Sequence, residues 1–278
     1  MATNLYPPPR PLSVGETIDL AFRIFRATLV TCLLFAGLAV IASELPNIYN
    51  LASGHPVRNL LEQHDPVFWL LDVVGTLLTV ILWSAVLLRQ YAVVNGRGAD
   101  AGSELTTGLR RLPALILLGI LVALATAVWF IPVAALMRAG PAIVLVAVLV
   151  LSLPATYVAI MSSCAWLVLL VTGKGAVASL VHSWRLVTGS FWRLAAIYTV
   201  GLVLLFVLYA LAGVLAVAVA VPLAHGDLAV ATAVTTVMVV ILSSLGTPFY
   251  TALALAVYGD LSVRREGADL AQRIAAAG

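Results

Sequence analysis

Apolar residues in this chain run in six blocks, each long enough to cross a hydrocarbon core about 30 Å thick as an α-helix of roughly 20 residues. Inside such a core every backbone N–H and C=O must find its partner within the protein, so these blocks fold as spanning helices. They lie at Leu29–Tyr49, Val67–Val93, Pro113–Met137, Ile143–Val171, Leu194–Val221 and Leu228–Tyr258. Two soluble domains would fit 278 residues, but only 10% of the residues are charged. A soluble surface needs roughly a quarter. With 63% hydrophobic residues and a mean hydropathy of +1.11, the expected fold is an all-α integral membrane protein.

Several blocks exceed the minimum, which predicts tilt or kinking. Pro154 and Pro248 fall inside the fourth and sixth spans; each removes a backbone donor and marks a candidate kink. Orientation follows from the basic residues, which gather on the cytoplasmic side of membrane proteins. Arg10, Arg23 and Arg26 precede the first span, Arg89, Arg97, Arg110 and Arg111 surround the second loop, and Lys174, Arg185 and Arg193 occupy the fourth. Arg264, Arg265 and Arg273 follow the last span, leaving only Arg58 and Arg138 for the opposite side. Thirteen against two predicts both termini in the cytoplasm. Trp69, Trp129, Trp166, Trp184 and Trp192 fall near the block ends, where an amphipathic ring suits the interface. Val40-Ile41-Ala42 weakly resembles a cleavage site, but the long stretch ahead of it argues for a retained first span.

The segments before spans one, three and five look alike. Ser13 with Glu16 three residues later makes a capping box that starts a helix. Glu16, Asp19, Arg23 and Arg26 form its polar face, and Val14, Ile18, Phe22 and Phe25 its apolar face. Such a helix lies in the membrane interface. The second copy runs from Ser103-Glu104-Leu105 to Pro113, with Leu105, Leu109 and Leu112 as its apolar stripe. The third runs from Val177 to Val187, with Leu180, Trp184 and Val187 on one face. Three units, each an interfacial elbow helix plus a hairpin of two spans, then account for the chain. Their approximate bounds are 13–96, 97–172 and 173–260, with a flexible proline-rich start over 1–12 and a cytoplasmic tail over 261–278.

These segments also resemble a family. The run Ser183-Trp184-Arg185-Leu186-Val187-Thr188-Gly189-Ser190-Phe191-Trp192-Arg193 is similar to the central motif of bacterial glycerophosphoryl diester phosphodiesterase membrane domains. Gly108-Leu109-Arg110-Arg111-Leu112-Pro113 resembles their second elbow, and Pro11-Leu12-Ser13-Val14-Gly15-Glu16 their opening. The stretch from Tyr258-Gly259-Asp260-Leu261 through Arg264-Arg265 to Asp269-Leu270 is similar to their closing segment. Ser262 and Ala268 depart from the pattern, standing where an arginine and an aromatic are common. The resemblance implies a six-span fold in a bacterial inner membrane. It does not carry an activity, because the family name comes from members fused to a separate catalytic domain.

Catalytic constellations are not visible. His55, His64, His182 and His225 sit in different loops, and Glu62, His64 and Asp65 read as a solvated outer loop rather than a metal site. Gly96-Arg97-Gly98 reads as a turn, since it lacks the lysine and strand of a phosphate loop. Net charge is +3, but the basic residues form no face that could track nucleic acid. Cys32 and Cys164 lie in apolar blocks and read as packing residues. Among ionisable residues only Glu44 and Asp72 are placed inside spans, both near outer ends. Ala212, Ala216 and Ala220 make a small-residue stripe for helix packing. No cofactor or metal is expected. Arg23, Arg26, Arg110, Arg111, Trp184, Arg185, Trp192 and Arg193 are the candidate contacts to anionic lipid head groups or to a membrane protein partner. The functional expectation is a non-catalytic scaffold or accessory subunit; the alternative is a transporter or lipid-handling protein, with an embedded enzyme a distant third.

Overall fold

The computed structural model describes residues 6–53, 64–136, 140–224, 228–267 and 274. Ten α-helices and no strand occur among them. They are α1 (Val14–Ser43), α2 (Leu45–Ala52), α3 (Pro66–Val94), α4 (Ala101–Ala127), α5 (Ile131–Leu136), α6 (Pro141–Met161), α7 (Ala165–Thr172), α8 (Ala176–Val187), α9 (Phe191–Ala224) and α10 (Leu228–Glu266), with a 3-10 turn at Val128–Phe130. Six stretches are long and apolar enough to cross a membrane: Val14–Ser43, Pro66–Val94, Ala101–Val133, Pro141–Thr172, Phe191–Pro222 and Val240–Arg265. The chain is an all-α, multi-pass membrane protein.

The expected spans are found, with instructive differences at their edges. The first and second elbows are not separate helices. They are the opening turns of α1 and α4, continuous with the spans that follow. Only the third elbow, α8, stands alone, because Gly189 at φ 81° turns the chain between α8 and α9. A left-handed residue of this kind ends a helix, and glycine adopts it without a Cβ clash. The opening of α1 shows the reciprocal capping box: Ser13 N–H donates to Glu16 Oε2 (2.7 Å) and Glu16 N–H to Ser13 Oγ (3.3 Å). α4 starts earlier than Ser103. Its cap is Asp100, whose carboxylate accepts from the N–H groups of Gly102 (3.3 Å) and Ser103 (3.0 Å).

The fourth span is interrupted at Ser162–Cys164, whereas α6 runs unbroken through Pro154 and α10 through Pro248. The interruption frees backbone groups, and Ser183 of α8 satisfies two of them. Its hydroxyl donates to Met161 C=O (2.8 Å) and accepts from Cys164 N–H (3.2 Å). Ser183 is fully buried.

The chain divides into two compact units, and α1, α4, α9 and α10 each contribute to both. One comprises the described residues of Ile18–Leu112 and Thr199–Leu253. Its core includes Cys32, Phe35 and Ala36 of α1 against Ala85 and Val86 of α3. Gly75 of α3 lets the two helices meet, since a Cβ there would lie 2.2 Å from Ala42 O. The stripe Ala212, Ala216, Ala220 is buried within the chain, as internal packing requires. The other unit comprises Tyr6–Thr17, Pro113–Tyr198 and Ala254–Gly278, with α7 packed on α8. Both cysteines are free and buried.

Candidate functional site

The three elbows share a burial pattern. In α1 the inward residues are Thr17, Leu20, Ala21, Ile24 and Thr28; in α4, Glu104 and Gly108; in α8, Ala176, Ser179, Ser183, Leu186 and Val187. Most inward positions are small or polar, with Leu20, Ile24, Leu186 and Val187 buried among them, while other large apolar side chains point outward. Phe22, Leu109 and Trp184 are 38%, 58% and 36% exposed. Phe22 and Phe25 lie along the ring of Phe249, with centroids 5.1 and 5.8 Å away. Trp184 stands edge-on to Tyr157 and donates to Ser162 Oγ (3.4 Å). A soluble amphipathic helix buries its apolar face. These helices also carry large apolar side chains outward, which an apolar solvent outside permits.

The candidate head-group contacts divide. Arg26, Arg110 and Arg185 are exposed, Arg111 is half-buried, and Arg23 is exposed and paired with Asp19 (2.7 Å). Trp192 is 83% exposed. Arg193 is different. Its guanidinium turns inward, donating to Asp260, to Leu12 C=O (2.6 Å) and to Thr17 Oγ1 (3.2 Å). Its guanidinium thus serves a carboxylate only 1% exposed, which needs a cation to offset its desolvation.

Asp260 is the centre of this second site. It also accepts from Leu12 N–H (2.6 Å) and from Arg264 Nε (3.1 and 3.0 Å to its two oxygens). Arg264 Nη2 donates in turn to Leu12 C=O (2.5 Å), and Arg265 donates to Thr188 C=O beside the α8–α9 turn. The opening, central and closing motifs noted in the sequence thus converge on one carboxylate. Residues 6–12, expected to be flexible, form a strap, with Tyr6 and Pro8 buried against the end of α10.

A third cluster was not foreseen. Arg89 of α3 and Glu104 of α4 pair at 2.8 Å with side-chain exposures of 13% and 5%. Arg89 also donates to Thr31 C=O (2.9 Å) and covers the Phe35 ring at 4.5 Å. Beside it Gln90, fully buried, donates to Thr28 Oγ1 (3.2 Å) and Pro248 C=O (2.8 Å). Gln90 Oε1 and Glu104 Oε1 are buried with no hydrogen-bond donor on them. The sequence counts Arg89 with the second loop and Glu104 with the second elbow, and nothing in it pairs the two. The spacing of Gly108 on the same face as Glu104 was the available signal for close α3–α4 packing: a Cβ there would lie 3.2 Å from Ile81 O.

The acids expected inside spans do less. Glu44 accepts from Asn47 (2.7 Å) and Asp72 is exposed. Ahead of α3, Asp65 caps the helix through Val67 N–H (2.9 Å) and accepts from Tyr49 OH (2.8 Å). Gly96 forms the expected turn, with φ 67°. Arg58, Arg138, Arg273, His55, Glu62, His225, Ala268, Asp269 and Leu270 lie outside the described residues. No family model, curated protein sequence or solved structure matches the chain.

Proposed function

We propose that this protein is a non-catalytic scaffold or accessory subunit of a bacterial cell membrane, with both termini in the cytoplasm. The observation that carries the reading is the use made of buried charge. Arg193, Asp260, Arg89 and Glu104 each tie distant chain segments together, which is the work of a frame. The outward apolar side chains of the elbows, beside Arg26, Arg110 and Arg185, suit an interface rich in anionic lipid, where each arginine is worth about 1 kcal/mol. The convergence of three motifs on Asp260 favours membership of the membrane-domain family they resemble. Pull-down from native membranes, with mass spectrometry of proteins and lipids, tests the reading. A stoichiometric protein partner and retained anionic lipid are expected. Hydrolysis of glycerophosphodiesters by the purified chain, abolished by His64→Ala, would overturn it.

One observation favours a transporter as the second reading. Ionisable residues buried among spans commonly mark ion or substrate paths, and Glu104 has one oxygen without a donor. Charge movement across proteoliposomes after a proton or sodium jump, lost in Glu104→Gln, would favour it over the scaffold.

A further inference from the structure

The strap that reaches Asp260 is held in an unusual way. Its last residue, Leu12, takes its hydrogen bonds from this site through its peptide groups. Asp260 accepts the N–H, and Arg193 and Arg264 both donate to the C=O. At its other end, Tyr6 is 6% exposed and lies over Gly259, where a Cβ would come within 2.6 Å of the ring and 3.1 Å of Pro8 Cδ. Between these anchors run Pro7, Pro8, Pro9, Arg10 and Pro11. A main-chain clamp, an aromatic anchor on a glycine, and a proline-rich span between them are the parts of a peptide-recognition site.

We propose that the ends of α9 and α10 form a binding cleft for an extended proline-rich peptide, filled in cis by the strap Tyr6–Leu12. Three features support a cleft over a permanent seam. Every polar contact to Leu12 comes from side chains that also bond one another, so the clamp keeps its shape without the strap: Asp260 stays paired with Arg193 and Arg264. The hydrogen bonds to Leu12 are all to its backbone, so another extended backbone can make the same ones. The strap joins α1 directly at Ser13 and Val14, and such short tethers give effective concentrations near the millimolar range. A free peptide at micromolar concentration therefore loses to the strap until the strap is weakened.

Leu12→Pro weakens it selectively, removing the N–H that Asp260 accepts while leaving the cleft untouched. Gly259→Ala evicts the tyrosine ring sterically, without changing any charge. A nitroxide at Pro9→Cys, read by electron paramagnetic resonance in the full-length protein, reports whether the strap is seated. The label should be immobile in the otherwise native chain and mobile in both variants. A fluorescent peptide of residues 6–14 should bind the Leu12→Pro protein at least tenfold more tightly than the native protein, and should not gain affinity for Gly259→Ala. Should Leu12→Pro fail to fold, Tyr6→Ala takes its place, removing the aromatic anchor from the strap while every residue of the cleft stays native. An immobile label in either variant overturns the proposal. So does a mobile strap in the Leu12→Pro protein to which the free peptide fails to bind.

Discussion

Arg185 and Arg193 lie in one short motif and do opposite work. Arg185 is exposed on α8, while Arg193 serves a buried carboxylate. Removing one partner of a buried pair leaves an uncompensated charge, at a cost of about 3–5 kcal/mol. Arg193→Gln should therefore lower stability by about 3 kcal/mol, the lower end because Arg264 still faces Asp260. Arg185→Gln should change stability by less than about 0.5 kcal/mol yet reduce co-purified anionic lipid. Denaturant unfolding in detergent and lipid mass spectrometry check the two halves separately. The Arg89–Glu104 pair obeys the same physics in a drier place. Glu104→Leu strands the guanidinium and should cost about 3–5 kcal/mol, while adding Arg89→Met should restore most of it, since an apolar pair needs no desolvation. A double-mutant cycle reads the coupling directly.

Among the elements, α8 meets the break in the fourth span through the buried hydroxyl of Ser183 and the ring N–H of Trp184. Ser183→Ala leaves Met161 C=O and Cys164 N–H without that partner at the break between α6 and α7. A buried group left unsatisfied costs about 1–3 kcal/mol, so the variant should melt earlier, with amide exchange increased first around Cys164. α4 depends on a charge. Asp100 is held below the ordinary carboxylate pKa, chiefly by the Ser103 N–H. The folded value is lowered, so its contribution is complete above the ordinary value of about 3.9 and is lost as pH falls through the lowered one. Carbon-13 NMR of the Asp100 carboxyl should show a midpoint below that of an unstructured peptide, and Asp100→Asn should remove the acid-dependent fraying of the first turn of α4. The elements themselves were mostly legible, because length and apolarity suffice to place a spanning helix. What was not legible was which elbow would detach. The arginines before each span are alike, and the distinction rests on the backbone of Gly189.

For the whole molecule, the thirteen-to-two division of basic residues predicts the orientation. Reporter fusions after Arg58 and after Arg138 should read as periplasmic, and a fusion at the tail as cytoplasmic; the reverse at any site would contradict six spans with both termini inside. The sequence by itself determined the membrane class, the number of spans and the capping box at Ser13 and Glu16. Each of these depends on local terms: apolar transfer summed along a helix, or hydrogen bonds within one turn. Only the tertiary structure decided that Asp260 gathers Leu12, Arg193 and Arg264, that Arg89 reaches Glu104, and that Ser183 closes the break in the fourth span. A charged residue near the end of a span looks the same in sequence whether it meets water, a head group or a buried partner. The choice among them is made by long-range packing, which brings together residues as far apart as Leu12 and Asp260 and removes them from water at the same place.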